Sequence, residues 1–314
     1  MIGILALALA SFIVIIMLLP LSIASNIPGL NYKNVTVHTN VTITHSKPDV
    51  LNVSVYDAQN YSIKNITIVA GNYKKIYCNA TVRSWEGFND ISAVNATLYN
   101  FVVSNQSASD NFNAHYSNSS CTLNGSITGL IGWFMCSFDV IYFANNGTWI
   151  CNVTISNSYT QINNNFTGSG FGSTLFYPVY ALNVTDGIDY GGVAVEDYSA
   201  PDRQANITNL GNMGINISVE GYAVNRSDGL AMICNLNGNI TVDNEKFSSK
   251  NGTSYPSKTS LTSSPGGILI PNLTMAKQTN VSILSANSTY WQLYVPANPA
   301  GNCTGNIIFT ALSS

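Results

Sequence analysis

At 314 residues the chain has room for two domains of ordinary size, and 46% apolar residues, with 29 Phe and Tyr, suffice for cores and exclude a disordered chain. Charged residues make up 9%, against about 25% in ordinary soluble domains. With a net charge of −3 and no Lys/Arg cluster, the chain has no electrostatic footprint for nucleic acid, which excludes such a partner.

Residues 1–32 carry no charged side chain, and 2–24 form an almost unbroken apolar run. As a helix that run crosses about 30 Å of hydrocarbon. Pro20 and the small-residue triplet Ser22-Ile23-Ala24 resemble a cleavage site. The segment 1–24 therefore reads as a signal peptide or an uncleaved membrane anchor, and membrane contact is confined to 2–24. No second apolar run of that length follows, and the last residues read as a strand rather than an anchoring tail.

After residue 26 helical periodicity gives way to alternating runs bounded by Gly, Asn, Pro and Ser, the pattern of an all-β sandwich protein. Residues 25–50 are a leading strand and linker. The alternating run 35–43 either pairs within its own chain or completes a neighbour's sheet by strand addition. A first sandwich over 51–157 takes strands at 51–56, 74–82, 93–103, 133–143 and 148–155. The small, polar stretch 158–175 reads as a linker. Its Gly168-Ser169-Gly170-Phe171-Gly172 piece lacks the strand-to-helix setting of a phosphate loop. A second sandwich over 176–314 takes strands at 214–223, 290–295 and 303–311.

Asn145-Asn146-Gly147-Thr148-Trp149-Ile150-Cys151 resembles the strand-F signature of immunoglobulin-like domains, in which a Tyr two residues before the second Cys ties the chain to the preceding corner. Trp149 stands in the Tyr place, and its indole N–H still donates one hydrogen bond. The resemblance makes Cys78 the partner of Cys151 and leaves Tyr99 or Phe101 to fill the space of the usual core Trp. Cys121 and Cys136 flank a Gly-containing excursion and pair across it. In the loop-entropy picture the 78–151 bridge contributes roughly 4 kcal/mol and the 121–136 bridge roughly 3. In the second half, Ile207-Thr208-Asn209-Leu210-Gly211-Asn212, Tyr290-Trp291-Gln292-Leu293-Tyr294-Val295 and the 299–309 hairpin resemble immunoglobulin-like modules of exported archaeal cell-surface proteins. Where such modules usually carry an aromatic, Cys303 stands, which implies a bond to Cys234. The resemblance implies a structural or adhesive envelope role.

Twenty-three Asn-x-Ser/Thr sequons occur, where 41 Asn, 35 Ser and 25 Thr placed at random give about 8. Fourteen have an apolar or Ala middle residue, as in Asn206-Ile207-Thr208 and Asn216-Ile217-Ser218. A strand that turns Asn and Thr outward and Val or Ile inward writes such sequons unaided. The turn sequons at Asn118, Asn146 and Asn251 escape that account. Asn118, Asn146, Asn251, Asn206 and Asn216 are the candidate glycosylation sites.

Signs of catalysis are few. Asp186, Asp189, Glu196 and Asp197 crowd together in sequence and make a weak calcium candidate, but their spacing matches no EF-hand. The cysteines lack CxxC spacing, and only His38, His45 and His115 supply imidazoles, which argues against zinc. No nucleophile elbow is present, and no carboxylate pair sits in an aromatic-rich motif. Trp133-Phe134 and Tyr290-Trp291 either stack on sugars or belong to the core. The expectation is two tandem immunoglobulin-like sandwiches, secreted or held at the cell surface, without catalytic residues or cofactors. Partners are envelope proteins or glycans, with self-association as an alternative and a carbohydrate-binding module as a third reading.

Overall fold

The computed structural model describes residues 36–43, 45–57, 65–158 and 165–314. The signal or anchor segment 1–24 lies outside them. Among the described residues no helix is long and apolar enough to cross a membrane. Residues 36–43 form a run without strand pairing, exposed throughout, where alternation predicts a strand. From His45 to Ser314 the chain forms one compact all-β unit.

Alternation decides which strands form in its first half. β1 (Asp49–Asp57), β2 (Asn65–Ile66), β3 (Tyr73–Arg83), β4 (Ile91–Asn100), β5 (His115–Asn118), β6 (Thr122–Thr128), β7 (Ile131–Ile141), β8 (Gly147–Ser158) and β9 (Asn165–Phe176) make two sheets. One has the order β1-β3-β7-β6 and the other β2-β9-β8-β4-β5. Ile76, Cys78, Ala80 and Val82 of β3 and Trp149, Cys151, Val153 and Ile155 of β8 alternate into one shared core. The Cys78–Cys151 disulfide crosses that core from sheet to sheet, and Cys121–Cys136 ties the connection before β6 to β7.

The stretch 158–175, read as a linker, is corrected by β9, whose residues pair with β8 along its whole length. The glycines explain the misreading. A Cβ on Gly168 would stand 2.1 Å from the Pro48 carbonyl oxygen, and one on Gly172 2.3 Å from that of Val53. These glycines leave room for the backbone of β1 to lie directly on β9. Small residues here serve close packing, not flexibility.

The second half contains β10 (Leu182–Val184), β11 (Asp197–Tyr198), β12 (Arg203–Asn209), β13 (Ile215–Tyr222), β14 (Leu230–Cys234), β15 (Asn239–Thr241), β16 (Glu245–Ser248), β17 (Thr259–Ser260), β18 (Ile268–Met275), β19 (Ala286–Val295), β20 (Cys303–Thr304) and β21 (Asn306–Ser313). β10-β12-β19-β16-β17 form the larger sheet, with β11 also on β19; β18-β13-β21 and β15-β14-β20 form smaller ones. A second core gathers Ile207, Ile217, Phe247, Trp291 and Leu293. Cys234 and Cys303 stand opposite each other on β14 and β20 and are bonded. The two halves touch through Lys277, whose ammonium donates to the Phe143 carbonyl at 2.8 Å and to Asn113 Oδ1 at 2.9 Å. Tyr142 adds a hydrogen bond to Gln278.

Candidate functional site

In the second half two sheet edges face one trough. β10 pairs only with β12, and β21 only with β13. Leu182 and Val184 of β10 and Ile307 and Phe309 of β21 line a cavity of about 360 Å³. A second cavity of about 300 Å³ shares Ile188 and Met232 with the first and is also lined by Tyr190, Val193 and Pro299. Strand edges present backbone N–H and C=O groups ready for pairing, and the trough supplies apolar surface for every second side chain of a visitor.

Three acids line this seam, Asp186, Asp189 and Glu245, and only Glu245 is buried. Glu245 opens β16, is 2% exposed and lines the larger cavity. Burial pushes its carboxyl up to about 7, opposed by a 2.7 Å hydrogen bond from the Tyr190 hydroxyl. Burial, and then the neighbouring Glu245, hold the Tyr190 phenol well above its ordinary value. Arg203 donates to the Tyr190 carbonyl at 3.0 Å and so ties the β10–β11 connection to β12. The carboxyl therefore keeps its proton to higher pH than an ordinary carboxylate, in a trough also lined by Thr185, Asp186 and Asn306. Glu245 is one of only four Glu in the chain. Nothing in its local sequence marks it, because its environment comes from β10, β14 and β21.

The calcium candidates do not assemble. Asp186, Asp189, Glu196 and Asp197 are exposed, Asp189 is occupied by the Gly191 amide at 2.8 Å, and no three of these acids converge among the described residues. The paired aromatics divide between faces: Phe134 and Trp291 are buried, whereas Trp133 is 39% exposed and Tyr290 half-buried. Phe101, offered for the core, is exposed; Trp149 and Phe176 stack there instead at 4.8 Å between centroids. The Trp149 indole donates to the Asn145 carbonyl at 2.7 Å, closing the altered corner.

Among the candidate glycosylation sites, Asn146, Asn206 and Asn251 are exposed and Asn118 and Asn216 half-buried. The amide nitrogen that would take a sugar is already engaged in the last two. Asn118 Nδ2 donates to the Ser137 carbonyl at 2.8 Å, and Asn216 Nδ2 to that of Ser313 at 3.4 Å.

No family model and no curated protein sequence matches this chain. Solved structures similar to it include the CsuC–CsuE chaperone–tip adhesion subunit complex of Acinetobacter baumannii, with 10% identity, a TM-score of 0.34 and coverage of 83% of this chain and 99% of that one. The C-terminal domain of the BspA polypeptide of Streptococcus agalactiae is 11% identical with a TM-score of 0.25, over 84% of this chain and 100% of that one. At these scores the likeness is too loose to assign a family.

Proposed function

We propose that this protein is an exported, non-enzymatic glycoprotein of the cell envelope, with a structural or adhesive role, built as two tandem immunoglobulin-like modules joined at 177–181. One observation carries the reading. Of the twenty sequon asparagines with described burial, sixteen are exposed, four are half-buried and none is buried. Among the residues with described burial, the four buried asparagines, Asn100, Asn157, Asn209 and Asn212, all lie outside sequons. Strand alternation turns an Asn outward whether or not Ser or Thr follows two residues later; glycan access accounts for the difference. Three disulfides favour an oxidising compartment, and the apolar run 2–24 favours export. Envelope proteins or glycans are the partners.

Mass spectrometry of native envelope fractions tests this reading. Sugar is expected at Asn146 and Asn251 in higher occupancy than at Asn118 and Asn216. Electrophoretic migration unchanged by deglycosylation overturns it.

A second reading, a filament subunit assembled by strand addition, is favoured by the open seam together with residues 36–43. Val37, Val41 and Ile43 alternate onto one face of an extended chain and are 76%, 78% and 81% exposed. A neighbouring copy's segment of that pattern suits a trough between two strand edges. Ladders in unboiled samples, lost in Val41→Asp and in Phe309→Asp, are the expected result; a monomeric wild type rejects this reading and leaves the first intact.

A further inference from the structure

His45 stands just before β1, and Glu86 and Asp90 lie in the connection from β3 to β4. Their imidazole and carboxylate ligand atoms all lie within 4.8 Å of one another, with His45 Nδ1 3.9 Å from Glu86 Oε1. Among the described residues no other three His, Cys, Asp or Glu side chains converge in this way. A histidine beside two acids is by itself only an ion-pair cluster. A fourth side chain makes it more.

Asn157 of β8 is 3% exposed and reaches the same place. Its Nδ2 donates to Asp90 Oδ2 at 3.0 Å and to the Ser46 carbonyl at 3.4 Å. The Oδ1 of that same carboxamide is buried without a hydrogen-bond partner, a state native proteins rarely leave unexplained. The backbone holds the cluster in shape, since the Ser46 amide donates to Glu86 Oε1 at 2.7 Å. An imidazole nitrogen and two carboxylates thus meet beside Asn157, which turns its amide N–H group to Asp90 and would bring its oxygen to an ion by rotation of the amide.

We propose that His45, Glu86, Asp90 and Asn157 bind a divalent first-row transition cation, with Zn²⁺ as its probe. One nitrogen and three oxygens make a borderline donor set, and the two carboxylates balance the charge of the ion. Ca²⁺ and Mg²⁺ favour shells of oxygen alone, so the imidazole discriminates against them. The ion would fasten the entry of β1, in one sheet, to β8, in the other. Cysteine spacing, the usual sequence sign of zinc, is no guide here, because these four ligands are brought together only by strand pairing.

The test takes full-length protein in detergent, strips it with chelator, and titrates it calorimetrically with Zn²⁺ and, in parallel, Ca²⁺. One Zn²⁺ per chain is expected, with melting raised by on the order of 5 °C at a hundredfold excess over Kd. His45→Ala and Asp90→Asn are expected to weaken binding roughly tenfold or more. Glu86→Gln, at an exposed position, gives the same loss in a variant whose folding is not at risk. His38→Ala, exposed and outside the cluster, leaves binding unchanged. Wild-type affinity in Glu86→Gln or His45→Ala, Ca²⁺ binding as tight as Zn²⁺, or no uptake at roughly 100 µM Zn²⁺ overturns the assignment.

Discussion

The two halves solve the same problem, closing a β-sandwich, in different ways. In the first, β1 lies directly on the glycine face of β9, and the Cys78–Cys151 bond crosses an apolar core. In the second, β10 and β21 are unpaired with each other and line a cavity of about 360 Å³, with another of about 300 Å³ adjoining it. Buried Glu220, Glu245 and Lys258 also belong to this half, and the Cys234–Cys303 bond joins two short strands. Close glycine contacts occur in both halves, since a Cβ on Gly305 would meet the Ala231 carbonyl as one on Gly172 meets that of Val53. Buried charge is also common to both, Asp57 being paired with Lys74 in the first. What sets the second half apart is the pair of strand edges, β10 and β21, that line its larger cavity beside buried Glu245.

The largest effect that would break this contrast is at the glycine face. Gly172→Val should cost more than about 4 kcal/mol in urea unfolding, because the new side chain meets the Val53 backbone. Gly192→Ala beside the second cavity, where an added Cβ meets nothing within 4 Å, should stay within about 0.5 kcal/mol. Equal losses would erase the distinction.

Removing Cys78 and Cys151 together should cost about 5 kcal/mol and removing Cys234 and Cys303 about 4, the closed loops being nearly equal at separations of 73 and 69 residues. The first pair is fully buried and leaves a void, whereas Cys303 is half-buried. Calorimetric melts of the two double variants give the comparison.

Glu245 makes the open half pH-sensitive. Its folded carboxyl holds a proton up to about 7, against an ordinary value of 4.5. The stabilising contribution is therefore full below pH 4.5 and is lost as pH rises through 7, by roughly 3 kcal/mol in all. Glu245→Gln should flatten that decline in urea midpoints measured from pH 4 to 8. An unchanged slope would place the titration elsewhere.

The smallest effect belongs to the corner of the first half. Trp149→Phe keeps the ring in the core but removes the 2.7 Å bond to Asn145, at about 1–2 kcal/mol. A loss as large as that of the Cys78/Cys151 pair would mean that the indole packing, rather than its hydrogen bond, sets the corner.

Much of this fold is legible before any coordinates. Alternation places β3, β7 and β8, because a strand with one buried face must repeat every two residues. The indole at Trp149 retains a donor, so its corner bond follows from chemistry alone. Short strands such as β10 and β20 leave too few residues for a period. β9 is hidden because its glycines carry no pattern of hydrophobicity.

The sequence by itself determined the all-β class, the apolar run 2–24 and the asparagine-rich exterior, since each depends on composition or on neighbours two residues apart. Only the tertiary structure decided which edges stay open, that Glu245 is buried, and that His45, Glu86, Asp90 and Asn157 meet. Those outcomes depend on strand order, and strand order brings together residues that local periodicity cannot connect.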